Sequence, residues 1–119
     1  MNPSLLFVYN ADSSMFSMVT DFAHKILSPK TYPCKLCAIT YDNFGIKKEW
    51  EQFIKEMKAD IKFLHRDEFL KKYDIANARF PCVFAEKDSN IELFITDKEI
   101  NACDSVKELK KLITIKLTQ

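Results

Sequence analysis

A chain of 119 residues is of single-domain size and long enough to bury a core without disulfides or a structural metal as staples. Apolar residues make up 47%, aromatics 13% and charged residues 29%, an ordinary globular balance. Eighteen basic against seventeen acidic side chains leave a formal charge of +1, with neither sign gathered into a long block. That distribution argues against a dedicated nucleic-acid or anionic-membrane surface.

The N-terminal residues Met1-Asn2-Pro3-Ser4 carry no Lys or Arg, and the apolar run Leu5 to Tyr9 is far shorter than a signal core or a membrane span. The chain therefore reads as cytoplasmic. In a reducing compartment the four cysteines, Cys34, Cys37, Cys82 and Cys103, rest as thiols unless they bind metal or cycle in redox chemistry.

Leu5-Leu6-Phe7-Val8-Tyr9 is a continuous apolar run ending in Asn10-Ala11-Asp12, the pattern of a strand buried on both faces. Asp12, Ser13 and Ser14 are N-cap residue types, and Met15, Met18, Val19, Phe22 and Ile26 recur at helical spacing until Pro29. His24 falls off that apolar stripe. It reads either as a solvated histidine near a helix C-terminus or as a ligand or proton carrier facing the cysteine segment that follows.

After a connection holding Pro29 and Pro33, Leu36 to Tyr41 is apolar and partly β-branched. The spacing predicts a second buried strand there, with a turn of helix starting at Cys34 as the alternative. Asp42 to Gly45 is a turn. Gly45 is the only glycine in the chain, which excludes both the Gly-rich phosphate loop and the dinucleotide fingerprint. Ile46, Trp50, Phe53, Ile54 and Met57 then form the apolar stripe of a helix, with Lys47, Lys48, Glu51 and Lys55 outside it.

Ile61 to His65 resumes strand character. Phe69, Leu70 and Tyr73 suggest a short helix capped by Asp67. A histidine at the C-terminal end of a strand lies on the edge where α/β proteins place their sites. Phe80 to Ala85 and Ile91 to Ile95 read as two strands of an antiparallel hairpin, with Pro81 at a strand start because it offers no donor. Ser105-Val106-Lys107-Glu108 is a capping box, and Val106, Leu109, Leu112, Ile113 and Leu117 give the closing helix its buried face.

From about Ile61 onward this order of strand, short helix, apolar-Pro strand start, hairpin partner and final helix resembles the C-terminal half of a thioredoxin-like domain. The resemblance implies an α/β fold, a single domain over 1–119. Its mixed sheet would be mainly parallel with a C-terminal antiparallel hairpin and helices on both faces. It also implies a cis peptide before Pro81 and a loop there that faces the site. The N-terminal half departs from that family, which carries its C-x-x-C directly after the first strand. Here that junction reads Asp12-Ser13-Ser14-Met15, and Cys34-Lys35-Leu36-Cys37 instead lies in an extra segment at about 29–57.

Over most of its length the chain is also similar to a small bacterial family of unassigned function. The likeness runs through Tyr9-Asn10-Ala11-Asp12, His24-Lys25, Pro29, Tyr32, Cys34-x-Leu36-Cys37 and Leu64-His65-Arg66-Asp67-Glu68-Phe69. It implies that His24, Cys34, Cys37 and His65 belong together.

Two chemistries use that set. His24, Cys34, Cys37 and His65 are a possible ligand set for a tetrahedral Zn²⁺, since two residues between cysteines let both sulfurs reach one ion. Alternatively, Cys34 is a thiol nucleophile and Cys37 resolves its mixed disulfide, with a peptide or protein thiol as partner. A third reading is a protein-interaction domain with incidental core cysteines.

Asn10, Asp12, His65, Arg66 and Asp67 are expected at the C-terminal edge of the sheet, flanked by the Pro81 loop, as a polar recess for a small ligand or peptide. If Leu36 to Tyr41 is a parallel strand, Cys34 lies at the edge opposite His65. If Cys34 to Cys37 is a helical turn folded across the C-terminal edge, it approaches Asp12, His65 and Pro81.

Overall fold

A computed structural model of the chain describes residues 4–10, 34–42, 45–75 and 77–118. Within them the elements are β1 (Ser4–Val8), α1 (Lys35–Thr40), β2 (Tyr41–Asp42), β3 (Gly45–Ile46), α2 (Lys48–Glu56), β4 (Asp60–Leu64), α3 (Arg66–Lys72), β5 (Cys82–Lys87), β6 (Asn90–Ile95), α4 (Asp97–Asn101) and α5 (Val106–Leu117). The helix expected from Met15 to Ile26, with its cap at Asp12 and its stop at Pro29, lies outside the described residues, as does His24.

The four main strands form a mixed sheet in the order β4-β1-β5-β6. β1 runs parallel to β4, with Phe7 opposite Phe63, and antiparallel to β5, with Val8 opposite Cys82. β5 and β6 complete an antiparallel hairpin. The expectation of a mainly parallel sheet is therefore corrected: only the β1–β4 pairing is parallel among these strands. The cause lies in Leu36 to Tyr41, expected to add a parallel strand: Leu36 to Thr40 belong to α1 instead, and Tyr41 pairs antiparallel with Ile46 in the short β2–β3 ribbon.

β1 is the axis of the molecule. Its alternating side chains feed two cores, because successive residues of a strand point to opposite faces. Leu5, Phe7 and Tyr9 pack with Leu36 and Cys37 of α1, Trp50 of α2, Ile100 of α4 and Leu109 and Ile113 of α5. Leu6 and Val8 pack on the other face with Phe69 of α3, Cys82 and Phe84. Helices thus cover both faces. Each fully buried Leu or Phe contributes about 1.5–3 kcal/mol relative to leaving it in water.

α1 forms where β-branched Ile39 and Thr40 suggested a strand. Lys35, Leu36 and Ala38 are good helix formers, and Cys34 takes the N-cap: its sulfur accepts the N–H of Cys37 at 3.3 Å. That leaves one orphan donor of the first turn satisfied, the task usually given to Ser or Asp. The Thr40 hydroxyl donates back to the Leu36 carbonyl at 2.6 Å, and the chain becomes extended at Tyr41.

Three smaller departures follow similar logic. α3 is capped by His65, not Asp67, because Glu68 reaches back to the His65 N–H at 2.8 Å. α4 was not anticipated, although Thr96 and Glu99 form a capping box that starts it. In the β5–β6 turn Asp88 and Ser89 have φ of 53° and 71°, the left-handed pair that two-residue hairpins require. The Phe80–Pro81 peptide, expected to be cis, is cis.

Candidate functional site

Cys34 sits where β1 ends. The Asn10 N–H, just past the last residue of that strand, donates to the Cys34 sulfur at 3.4 Å, and the Cys37 N–H donates to it at 3.3 Å. The C-x-x-C pair thus arrives at the C-terminal end of β1, even though Asn10 and Cys34 are 24 residues apart. Of the two geometries open from the sequence, the helical turn across this edge is the one adopted.

Other predicted residues lie at the same edge. β4 is parallel to β1, so His65, immediately after it, is at the same end, and Tyr9 joins the two by donating its N–H to the Leu64 carbonyl at 2.9 Å. The Tyr9 and His65 rings are 5.6 Å apart between centroids. Arg66 donates to the Asn10 side-chain oxygen at 3.2 Å, and Asp67 follows in the first turn of α3. The β1–β5 ladder ends at Val8 opposite Cys82, so Pro81, which is buried, is the next residue on β5's side of this edge. Asp12 and His24 lie outside the described residues.

The electrostatics single out Cys34. Burial pushes its thiol up, but hydrogen bonds from the Cys37 thiol and from the backbone N–H groups of Cys37, Asn10 and Leu36 outweigh that, and the net shift is downward. Donors aimed at a sulfur stabilise the thiolate over the thiol. Cys34 and Cys37 both have 0% exposed surface, so the groups that lower the Cys34 pKa are protein donors rather than water. The other two cysteines go the opposite way: burial, then Asp97, pushes Cys82 up to about 12, and burial, then Glu108 and Asp104, raises Cys103. All four are thiols, with no disulfide.

No family model, curated protein or solved structure matches the chain.

Tyr9 and Tyr41 were not among the predicted site residues. Burial, and then Tyr41, to which the Tyr9 hydroxyl is hydrogen-bonded, raise the Tyr9 pKa, with smaller contributions from Cys37 and Cys34. A protonated phenol therefore stands close to both sulfurs. Its sequence signal was a polar tip on the last residue of an apolar strand, on the same face as Leu5 and Phe7. Glu68 was missed as well. Its carboxylate takes the His65 ring at 2.7 Å, and the His65 backbone and ring hydrogen bonds lower its pKa.

Lys35, between the two cysteines, pairs with Asp104 at 3.0 Å and ties α1 to the segment before α5. For the zinc reading, among the described residues no three His, Cys, Asp or Glu side chains gather in a way that would hold a metal ion, and the fourth expected ligand, His24, is not described. No helix among the described residues is long and apolar enough to cross a membrane.

Proposed function

We propose that the protein is a thiol–disulfide oxidoreductase on a thioredoxin-like frame, with Cys34 as nucleophile and Cys37 as resolving thiol. The hydrogen bonds converging on the Cys34 sulfur from Asn10 and Cys37 are the observation that carries this reading. They favour the thiolate, the form that attacks a disulfide. The sheet order β4-β1-β5-β6, with its single parallel pair and C-terminal hairpin, supports the frame, as does the proline that leads into β5 at the site's edge.

The reaction takes a peptide or protein disulfide, R–S–S–R′. The Cys34 thiolate attacks one sulfur, a Cys34–S–S–R bond forms, and R′–S⁻ leaves and takes a proton. Cys37 then loses its proton and attacks the Cys34 sulfur. The Cys34–Cys37 bond forms as R–S⁻ leaves and is protonated. Two electrons and two protons have passed from the dithiol to the substrate, and an external thiol or dithiol reductant restores the pair. Because Cys34 has 0% exposed surface, a partner reaches it only when the structure opens locally around the sulfur, which also shields the thiolate from stray oxidants.

The Cys37→Ser variant tests this. Incubated with glutathione disulfide, it should accumulate a stable mixed disulfide at Cys34, whereas the parent should pass on to the Cys34–Cys37 disulfide. No adduct at Cys34, or adducts spread evenly over Cys34, Cys82 and Cys103, would overturn the assignment.

A further inference from the structure

We propose that α1 is a lid over its own two cysteines and that the Lys35–Asp104 ion pair is a latch that holds it shut. This rests on the redox reading above and adds what governs access to the pair. Leu36, Cys37 and Ile39 of α1 lie in the same core cluster as Ile100, Cys103 and Val106, so the helix is docked on the α4–α5 corner with Cys37 turned inward. Cys34 and Cys37 have 0% exposed surface. A helix that carries both thiols into the core exposes them by moving away from it.

Lys35 lies between the two cysteines, and its ammonium meets the Asp104 carboxylate at 3.0 Å across 69 residues of sequence. The far end of that contact is firmly placed. The Asp104 N–H donates to the Glu108 carboxylate, and the Ser105 hydroxyl accepts the Glu108 N–H at 3.2 Å to cap α5. The ion pair therefore joins a six-residue helix to the start of a twelve-residue one, across the line along which α1 parts from the corner.

Exposure decides how strong the latch is. The Lys35 side chain is 34% exposed and that of Asp104 80%, so water and salt reach both. An ion pair of this kind shifts an equilibrium by about two- to fivefold, whereas the complete burial of Leu36 supplies the larger part of the closed state's advantage. α1 is accordingly shut in most molecules, and the latch scales the open fraction rather than creating it. Salt that screens the pair loosens the lid.

The test is native-state labelling of the reduced full chain with iodoacetamide, each cysteine being followed by peptide mass spectrometry. Each rate is divided by that of the same variant unfolded in urea, which removes any effect of the substitution on the thiol's own reactivity. Asp104→Asn and Lys35→Glu should each speed labelling of Cys34 and Cys37 by about two- to fivefold. Cys82, buried in the core on the other face of the sheet, should keep its parent rate. Lys35→Glu is the sharper variant, because Glu in the first turn favours the helix itself, so faster labelling there does not come from a weakened α1. Exchanging the charges, Lys35→Glu with Asp104→Lys, should bring the rates back toward the parent. Raising NaCl from about 0.05 M to about 0.5 M should speed labelling in the parent but not in Asp104→Asn. Unchanged labelling in either single variant, or a rise that the charge exchange does not reverse, would overturn the latch. So would a rise shared equally by Cys82, which would show that the substitutions loosen the whole fold. If a variant fails to fold by circular dichroism, the other variant and the salt series are read by the same rule. Labelling that responds as expected, beside a Cys37→Ser variant that forms no glutathione adduct at Cys34, would leave the lid standing and sink the redox reading instead.

Discussion

Replacing Cys34 with Ser should change how stability depends on pH, and the sign follows from the donors around the sulfur. In the folded protein burial raises the thiol's pKa, the Cys37 thiol and the N–H groups of Cys37, Asn10 and Leu36 lower it, and the net is downward. In the unfolded chain a cysteine titrates near pH ~8.5. Between the folded value and that one, the unfolded chain holds one more proton at this site than the folded protein. Unfolding free energy therefore rises with pH across the window, by up to about 1.4 kcal/mol per pH unit for a single proton. The contribution is fully present above the unfolded value and is lost as pH falls through the folded one. Urea unfolding under reducing conditions, at several pH values from about 5 to about 9, should show the parent gaining stability over Cys34→Ser as pH rises. Curves for the two proteins that run parallel across the window would refute the claim that the fold stabilises a thiolate here.

Trp50→Ala should cost about 3–5 kcal/mol, since Trp50 is 1% exposed and packs edge-on to Phe7 at 5.9 Å and against Phe53 at 5.8 Å; a loss under about 1 kcal/mol in chemical denaturation would mean that α2 is not anchored by this side chain. Gly45→Ala meets no atom within 4 Å of its new Cβ, yet φ at Gly45 is +112°, so the cost is backbone strain of about 1–3 kcal/mol, and unchanged stability would show that the turn relaxes without penalty.

How much of this was legible in the sequence depended on whether local pattern and tertiary context agreed. The run from Leu5 to Val8 announced a strand buried on both faces because all of it is apolar, and both cores now share it. The α2 stripe, the β5–β6 hairpin and the Ser105 cap of α5 were equally local signals. Leu36 to Tyr41 misled because two β-branched residues at its end outweighed the cap at its start. A sulfur acting as N-cap acceptor has no place in the usual cap preferences, so the turn of helix from Cys34 stood in the sequence only as the alternative to a strand. That single misreading also produced the wrong sheet polarity.

The site was legible in its residue types but not in its wiring. Cys34, Cys37, Asn10, His65 and Arg66 could be named from spacing and strand ends, whereas the contact between Asn10 and Cys34 spans 24 residues and no local pattern encodes it. Tyr9 was read as the end of an apolar strand, which it is; its hydroxyl became relevant only because α1 folds over that end.

The central claim is that Cys34 and Cys37 form one two-electron redox unit, apart from Cys82 and Cys103. The most direct measurement is to equilibrate the protein across a series of reduced to oxidised dithiothreitol ratios, alkylate, and map the cysteines by peptide mass spectrometry. A Cys34–Cys37 disulfide should form and reverse as a single transition while Cys82 and Cys103 stay alkylatable throughout. Cys34 and Cys37 remaining as separate thiols at the oxidising end, or pairing with Cys82 or Cys103 instead of each other, would contradict it.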